Sequence, residues 1–250
     1  MFALTFDILP NSLFSMRIPY TWQSALTYPI PPPSAVIGIV ANAIQRCEWV
    51  NNLSAIKSAH PIDVLKYCEE KIDWATATIS GNAILKSHIV STIMKFKYDI
   101  GGKATNALGR QFGFLSGKFR AAVLSKDEDF LHLVKYALAH SPITIGDSES
   151  LASVVDVSEP IEADVLRDCA GFEFETNFPV PLRLVEKPAG GTIFWVHERC
   201  EPEKKKMQLH EHIFPIVDRR GIWEHARISG KIKSGTIWTV GDEHIIGEEK

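Results

Sequence analysis

The stretch YPIPPPSAVIGIVA, residues 28–41, ends a proline run in a serine at the head of an apolar, helix-periodic segment. The first N–H groups of a helix have no intrahelical partner. Ser34 as N-cap, together with those donors, would suit a phosphate or carboxylate. Tyr20, Trp22 and Tyr28 stand just upstream, and such rings can stack on nucleobases. The competing reading is that the prolines stiffen a loop and the rings belong to the core. A second concentration of chemistry runs from Lys95 to Arg120. Lys95 and Lys97, like Lys118 and Arg120, are two apart in β-rich sequence, which puts each pair on one strand face. Between them lies a glycine-rich arm, residues 100–118, with Arg110, Gln111, Phe112 and Phe114. Cations that track phosphates and rings that accept bases suit single-stranded RNA. The alternative is a solvated edge hairpin whose lysines guard against aggregation.

Other constellations are weaker. His210 and His212 would share a strand face near His197 and Cys200, all zinc-type ligands, but their spacing matches no standard zinc pattern. A surface hairpin is the better account of them, and no metal or other cofactor is expected. No P-loop, dinucleotide fingerprint, GxSxG or HExxH occurs. A metal-independent ribonuclease could be assembled from Tyr20, Tyr28, His88 and Lys95, but such residues also occur together by accident.

The elements that must position these groups follow from periodicity. FALTFDI (2–8) alternates as a strand. Apolar residues at 36, 37, 40, 41 and 44 give a helix that should be mostly buried. Pro61 opens a second helix through Lys71. Strands follow at 73–79 and 88–99. The arm 100–118 shows no clear period and reads as a long loop or protruding hairpin. Then come a strand at 118–124, a helix capped by Asp127, and a strand at 153–157. The order is that of an α+β, ferredoxin-like domain with insertions, whose antiparallel sheet carries both helices on one side and leaves the other face open. Residues 1–158 are expected to form this domain and residues 159–250 a β-rich C-terminal region of short strands and glycine turns, with EPEKKKMQ (201–208) as a hairpin tip.

Composition narrows the class. In 250 residues, 45% are hydrophobic and 23% charged, ordinary for a globular protein. No apolar run reaches membrane-helix length, and the N-terminus lacks a signal-peptide pattern. Four widely spaced cysteines without a CxxC point to reduced thiols, hence a cytoplasmic protein. The net charge of −3 conceals an asymmetry: residues 86–120 carry seven basic groups against one acidic, residues 121–177 three against twelve. One face could meet a polyanion while the rest stays acidic.

Two stretches carry a family resemblance. Tyr28, Pro29, Pro31, Pro32, Pro33, Ser34 and Gly38 resemble the "YP-x-PPPS/T-x-x-G" turn of the CRISPR-associated Cas family number five, RAMP-superfamily subunits of type I Cascade. SPITIGDSESLASVVDV (141–157) resembles that family's second motif through Pro142, Gly146, Ser148, Glu149, Leu151 and Val154. The similarity covers residues 1–157, and its texture is most similar to the archaeal type I-A branch. It implies an RRM/RAMP-type ferredoxin-like domain with an inserted thumb-like hairpin, here about 100–118. It also implies a crRNA-binding scaffold that grips the 5′ handle and caps the backbone filament in antiviral defence. The implied partners are crRNA, the Cascade backbone subunit, the large subunit and, indirectly, target DNA, with no membrane. Handle phosphates would meet Ser34, Arg17, Lys95, Lys97, Lys118 and Arg120, and handle bases would meet the Tyr20–Tyr28 approach. Arg110 and Gln111 would part handle from guide, and the acidic stretch 127–175 would face protein neighbours. One branch of the family is a processing ribonuclease. Its catalytic Tyr and Lys-His pair are not matched here, Lys86-Ser87-His88 having the wrong spacing, so the resemblance implies no catalytic residues.

Overall fold

The computed structural model describes residues 1–19, 21, 24–47, 60–93, 106–146, 150–200 and 208–250. In chain order, β1 (Phe2–Pro10) leads to α1 (Pro33–Arg46) and α2 (Pro61–Lys71). Next come β2 (Trp74–Ser80), β3 (Ala83–Ile93), β4 (Asn106–Leu115) and β5 (Lys118–Ser125). The helix α3 (Glu128–His140) and β6 (Leu151–Val155) follow. The central sheet runs β2-β5-β1-β6, every neighbour antiparallel. With the hairpin β3–β4 set aside as an insertion, this is the ferredoxin-like order, as the periodicity predicts.

Strand alternation divides the sheet. Leu4, Phe6 and Ile8 of β1, with Phe119, Ala121 and Val123 of β5, face α1 and α3 in one apolar cluster. The expected stripe Val36, Ile37, Val40, Ala41 and Ile44 of α1 is buried there, along with Ile39 and Ala43. Each fully buried aliphatic side chain in such a stripe contributes about 1.5–3 kcal/mol. Asp127 caps α3 as expected, its carboxylate accepting from the Phe130 N–H at 2.9 Å.

The opposite face differs from the expectation of an open sheet. Its lower rows, Ala3, Trp74, Ala122 and Leu124, are sealed by Ala163, Phe178, Trp238, Val240 and Ile245 from the C-terminal part of the chain. Further up, the Thr78 hydroxyl donates to the Asn177 carbonyl. Only the upper rows, around Lys118 and Arg120, keep exposed side chains. Small residues at Ala3 and Ala122 let the covering layer approach this closely. Their apolar character was legible, but not the distant segment that buries them.

Of the two forms expected for the arm, loop or hairpin, its described residues take the hairpin. Residues 106–115 form a strand paired with β3 along its whole length, from Ile84↔Leu115 to Ile93↔Asn106. Its alternation is plain in hindsight: Gln111, Gly113 and Leu115 face inward, Arg110, Phe112 and Phe114 outward. The glycines mask it. Gly113 is glycine because a Cβ there would stand 2.3 Å from the Phe14 ring. Residues 100–105 lie outside the described residues. The C-terminal hairpin, β7 (Ile216–Arg219) and β8 (Ile222–His225), extends this second sheet through β8–β3 pairing.

Candidate nucleic-acid interface

The proline-serine turn does not present its helix start to a ligand. Pro32, not Ser34, is the N-cap, and no side chain caps the helix. Pro33 has no N–H, the Ser34 N–H donates to the His197 carbonyl at 3.2 Å, and the Ala35 and Val36 N–H groups donate to the Pro32 carbonyl. The expected anion site at the Ser34 backbone is therefore occupied by the protein itself. Tyr28 is corrected for the same reason. Its ring is buried beside Phe194 and Phe214, and its hydroxyl donates to the Trp195 carbonyl at 2.5 Å. Burial holds the phenol well above its ordinary pKa, so it neither stacks on bases nor serves as a proton carrier near neutrality. Together Tyr28 and Ser34 tie the turn to the strand at Thr192–Val196 and its continuation.

The cations on the sheet are also engaged. Arg120 Nε lies 3.0 Å and Lys118 Nζ 3.3 Å from the buried Asp7 carboxylate, and Lys118 is 2.6 Å from Asp156. At 39% and 41% side-chain exposure, Lys118 and Arg120 reach solvent with their charge already neutralised. Gln111 is buried. Its side-chain oxygen accepts from the Thr27 N–H at 3.1 Å and its carbonyl accepts from the Ser15 hydroxyl. It is a staple between β4 and the segment 14–28, not a contact for RNA. Arg110 lies on the outward face, its guanidinium 5.0 Å from the Phe112 ring centre. Tyr20, Lys95 and Lys97 lie outside the described residues, as does the side chain of His88.

A cleft of about 380 Å³ does gather several of the sequence candidates. It is lined by Arg17, Tyr28, Ser34 and Gly146 with His197, Arg199 and Cys200. Both motif segments thus meet at one place. Gly146 is required there: its φ is +82°, and a Cβ would stand 2.2 Å from the Ser15 carbonyl oxygen. Arg17 is exposed, and among the described residues its guanidinium donates to the Thr21 carbonyl at 3.3 Å. Arg199 is fixed by the carbonyls of Ile72 and Asp73 at 2.9 and 2.8 Å, with Glu69 3.7 Å away. The wall between them is the Cys200 thiol, which donates to the Ser34 carbonyl; burial pushes it up to about 12, so it is inert. Sequence reasoning missed Arg199, because only the fold brings the C-terminal strand to the proline turn. This arrangement offers two guanidinium groups, one of them rigid, to an anion.

The histidine pair is used otherwise. His212 is fully buried, its Nε2 2.7 Å from Glu198, which in turn forks with Arg183 at 2.5 and 3.0 Å. Burial opposes the Glu198 charge, yet the bonds from His212 and Arg183 outweigh it and hold the carboxyl at about 2. Among the described residues no group of three His, Cys, Asp or Glu is placed to hold a metal. Nor, among them, is any helix long and apolar enough to cross a membrane.

Comparison with known proteins agrees with this architecture. A crystal structure of a CRISPR protein from Archaeoglobus fulgidus is 16% identical, with all of both chains covered and a TM-score of 0.59. A chain of the Type III-B Cmr-beta bound to cognate target RNA is 9% identical, covering 90% of this chain and 86% of that one, at a TM-score of 0.50. No curated protein matches the sequence. The model of the family described as CRISPR-associated protein (Cas_Cas5) matches residues 9–168, a span that holds both motifs, the inserted hairpin and the ferredoxin-like domain from the end of β1 onward. The chain belongs to the CRISPR-associated Cas5 family.

Proposed function

We propose that this protein is a non-catalytic, guide-RNA-binding scaffold of a type I Cascade complex. It holds the 5′ handle of the crRNA and caps the filament of backbone subunits, beside the large subunit. The observation that carries the reading is the cleft where both motif segments meet Arg17 and Arg199. The staple from Gln111 to Thr27 links that cleft mechanically to the arm. Handle phosphates lie against Arg17 and Arg199, and the arm carries Arg110 to the neighbouring nucleotides. Lys118 and Arg120 shape the sheet through Asp7 rather than gripping RNA.

The test is purified protein with labelled CRISPR repeat RNA in EDTA. Binding without cleavage, weakened several-fold by Arg17→Ala, is the expected result. Cleavage to a 2′,3′-cyclic phosphate would make the protein a metal-independent endoribonuclease instead. Equal affinity for heparin and repeat RNA would overturn both.

A further inference from the structure

Tryptophan is costly to leave in water, and Trp74, Trp223 and Trp238 are at most 5% exposed. Trp195 is 55% exposed. It lies on Thr192–Val196, the edge strand of a three-stranded sheet, paired with His210–Phe214. Strand alternation accounts for the exposure. Phe194 and Val196 turn to the core, where Phe194 meets Tyr28 and Phe214, so Trp195 and Ile193 turn the other way. The backbone that carries the ring is fixed, because the Trp195 carbonyl accepts from the buried Tyr28 hydroxyl at 2.5 Å. His197 and Arg199, two and four residues further on, line the cleft. The reach of an extended chain sets them within about 7 and 14 Å of Trp195.

We infer that Trp195 is a base-stacking residue: its indole face takes one unpaired base of the RNA strand whose phosphate sits in the cleft. The inference rests on the proposed function of that cleft and adds a base contact to its phosphate contacts. The size of the surface favours RNA over protein. Directly opposed residues share a face, and on this one Glu211, opposite Trp195, is charged while Ile213, opposite Ile193, is buried. The exposed apolar strip is therefore two side chains. A stable protein interface buries roughly 800 Å² per partner, whereas one indole matches one base. A ring on a fixed strand also loses little freedom when it is covered. Glu211 sets the orientation. Its carboxylate repels phosphate and accepts from exocyclic amino groups, so the base turns to the ring and the RNA backbone turns to Arg17 and Arg199.

The experiment measures binding of the full chain to labelled CRISPR repeat RNA, comparing wild type with Trp195→Ala, Trp195→Phe and Trp195→Leu. A parallel set of RNAs carries single abasic sites along the 5′ handle. Trp195 reaches solvent, and the thermal midpoint of each variant checks its fold. Trp195→Ala is expected to weaken binding by about 5- to 150-fold, the range for one stacked base, with the salt slope unchanged because no phosphate contact is lost. Trp195→Phe keeps most of the affinity and Trp195→Leu does not. One abasic position reproduces the loss in wild type, and that RNA no longer separates wild type from Trp195→Ala. Affinity of Trp195→Ala within about twofold of wild type overturns the inference alone. Trp195→Leu binding as well as Trp195→Phe makes the residue an apolar filler and overturns it too. A Trp195→Ala chain that binds RNA normally but no longer joins its complex on co-expression assigns the ring to a protein neighbour, with the same consequence. A wild-type chain that does not bind repeat RNA overturns the proposed function and this inference together.

Discussion

Arg17 and Arg120 are both arginines in basic, β-rich surroundings, and the fold gives them different work. Arg17 reaches solvent at the cleft, whereas Arg120 is locked to the buried Asp7. Arg17→Ala is therefore expected to weaken repeat-RNA binding and flatten the salt dependence by about 0.7 in log–log slope, the release expected for one phosphate contact. Its melting temperature should stay within a degree or two of wild type. Arg120→Ala should do the reverse, because it leaves a buried carboxylate with a weaker partner: the melting temperature falls while the salt slope holds. Titrating RNA binding against salt for both variants distinguishes the two roles. Residue types were legible in the sequence, but residue partners were not. Tyr28 read as a base-stacking ring because its acceptor, the Trp195 carbonyl, is 167 residues away. Ser34 read as a cap because nothing local reveals that His197 takes its N–H.

The helices were legible as elements, since α1 and α3 obey a 3.6-residue period and Asp127 is a cap that accepts from the Phe130 N–H. The strand β4 was not, because Gly109 and Gly113 interrupt its alternation, Gly113 for reasons of space rather than flexibility. Its attachment makes a prediction. Gln111→Ala strands the buried Thr27 N–H while the backbone bonds between Phe14 and Gly113 still hold β4 to that segment, so a loss of about 1–3 kcal/mol is expected in chemical denaturation. The C-terminal strands carry an acid-sensitive joint. Burial lowers the His212 pKa below its ordinary value, with Glu198 opposing and Arg183 and His210 adding to the shift. A depressed folded pKa means that the unfolded chain takes up the proton first. Stability is full above about pH 6.5 and declines as pH falls below it. Glu198, held at about 2, adds a further loss as pH falls from about 4.5. A His212→Gln variant should show a flatter melting temperature between pH 7 and 5 than wild type, and an equal slope in both would remove His212 from the joint.

In the whole molecule, the decisive feature is how the C-terminal part of the chain lies on the ferredoxin-like sheet. It covers the lower half of the face that the sequence suggested was open, and it brings His197 and Arg199 to the proline turn. The order of the central strands could be read from the sequence because each obeys a local period. The covering could not, because Trp238 and Phe178 look like ordinary core residues until their partners across the fold are known. In the proposed function this puts the grip on RNA at the seam between the two parts rather than across a bare sheet. The most direct test is photo-crosslinking in the assembled complex, with 4-thiouridine placed along the 5′ handle of the crRNA and crosslinked peptides identified by mass spectrometry. The account predicts adducts on peptides containing Arg17 and Arg199 of this chain. Handle crosslinks confined to other subunits, or to β5 of this chain in place of the cleft, would contradict it.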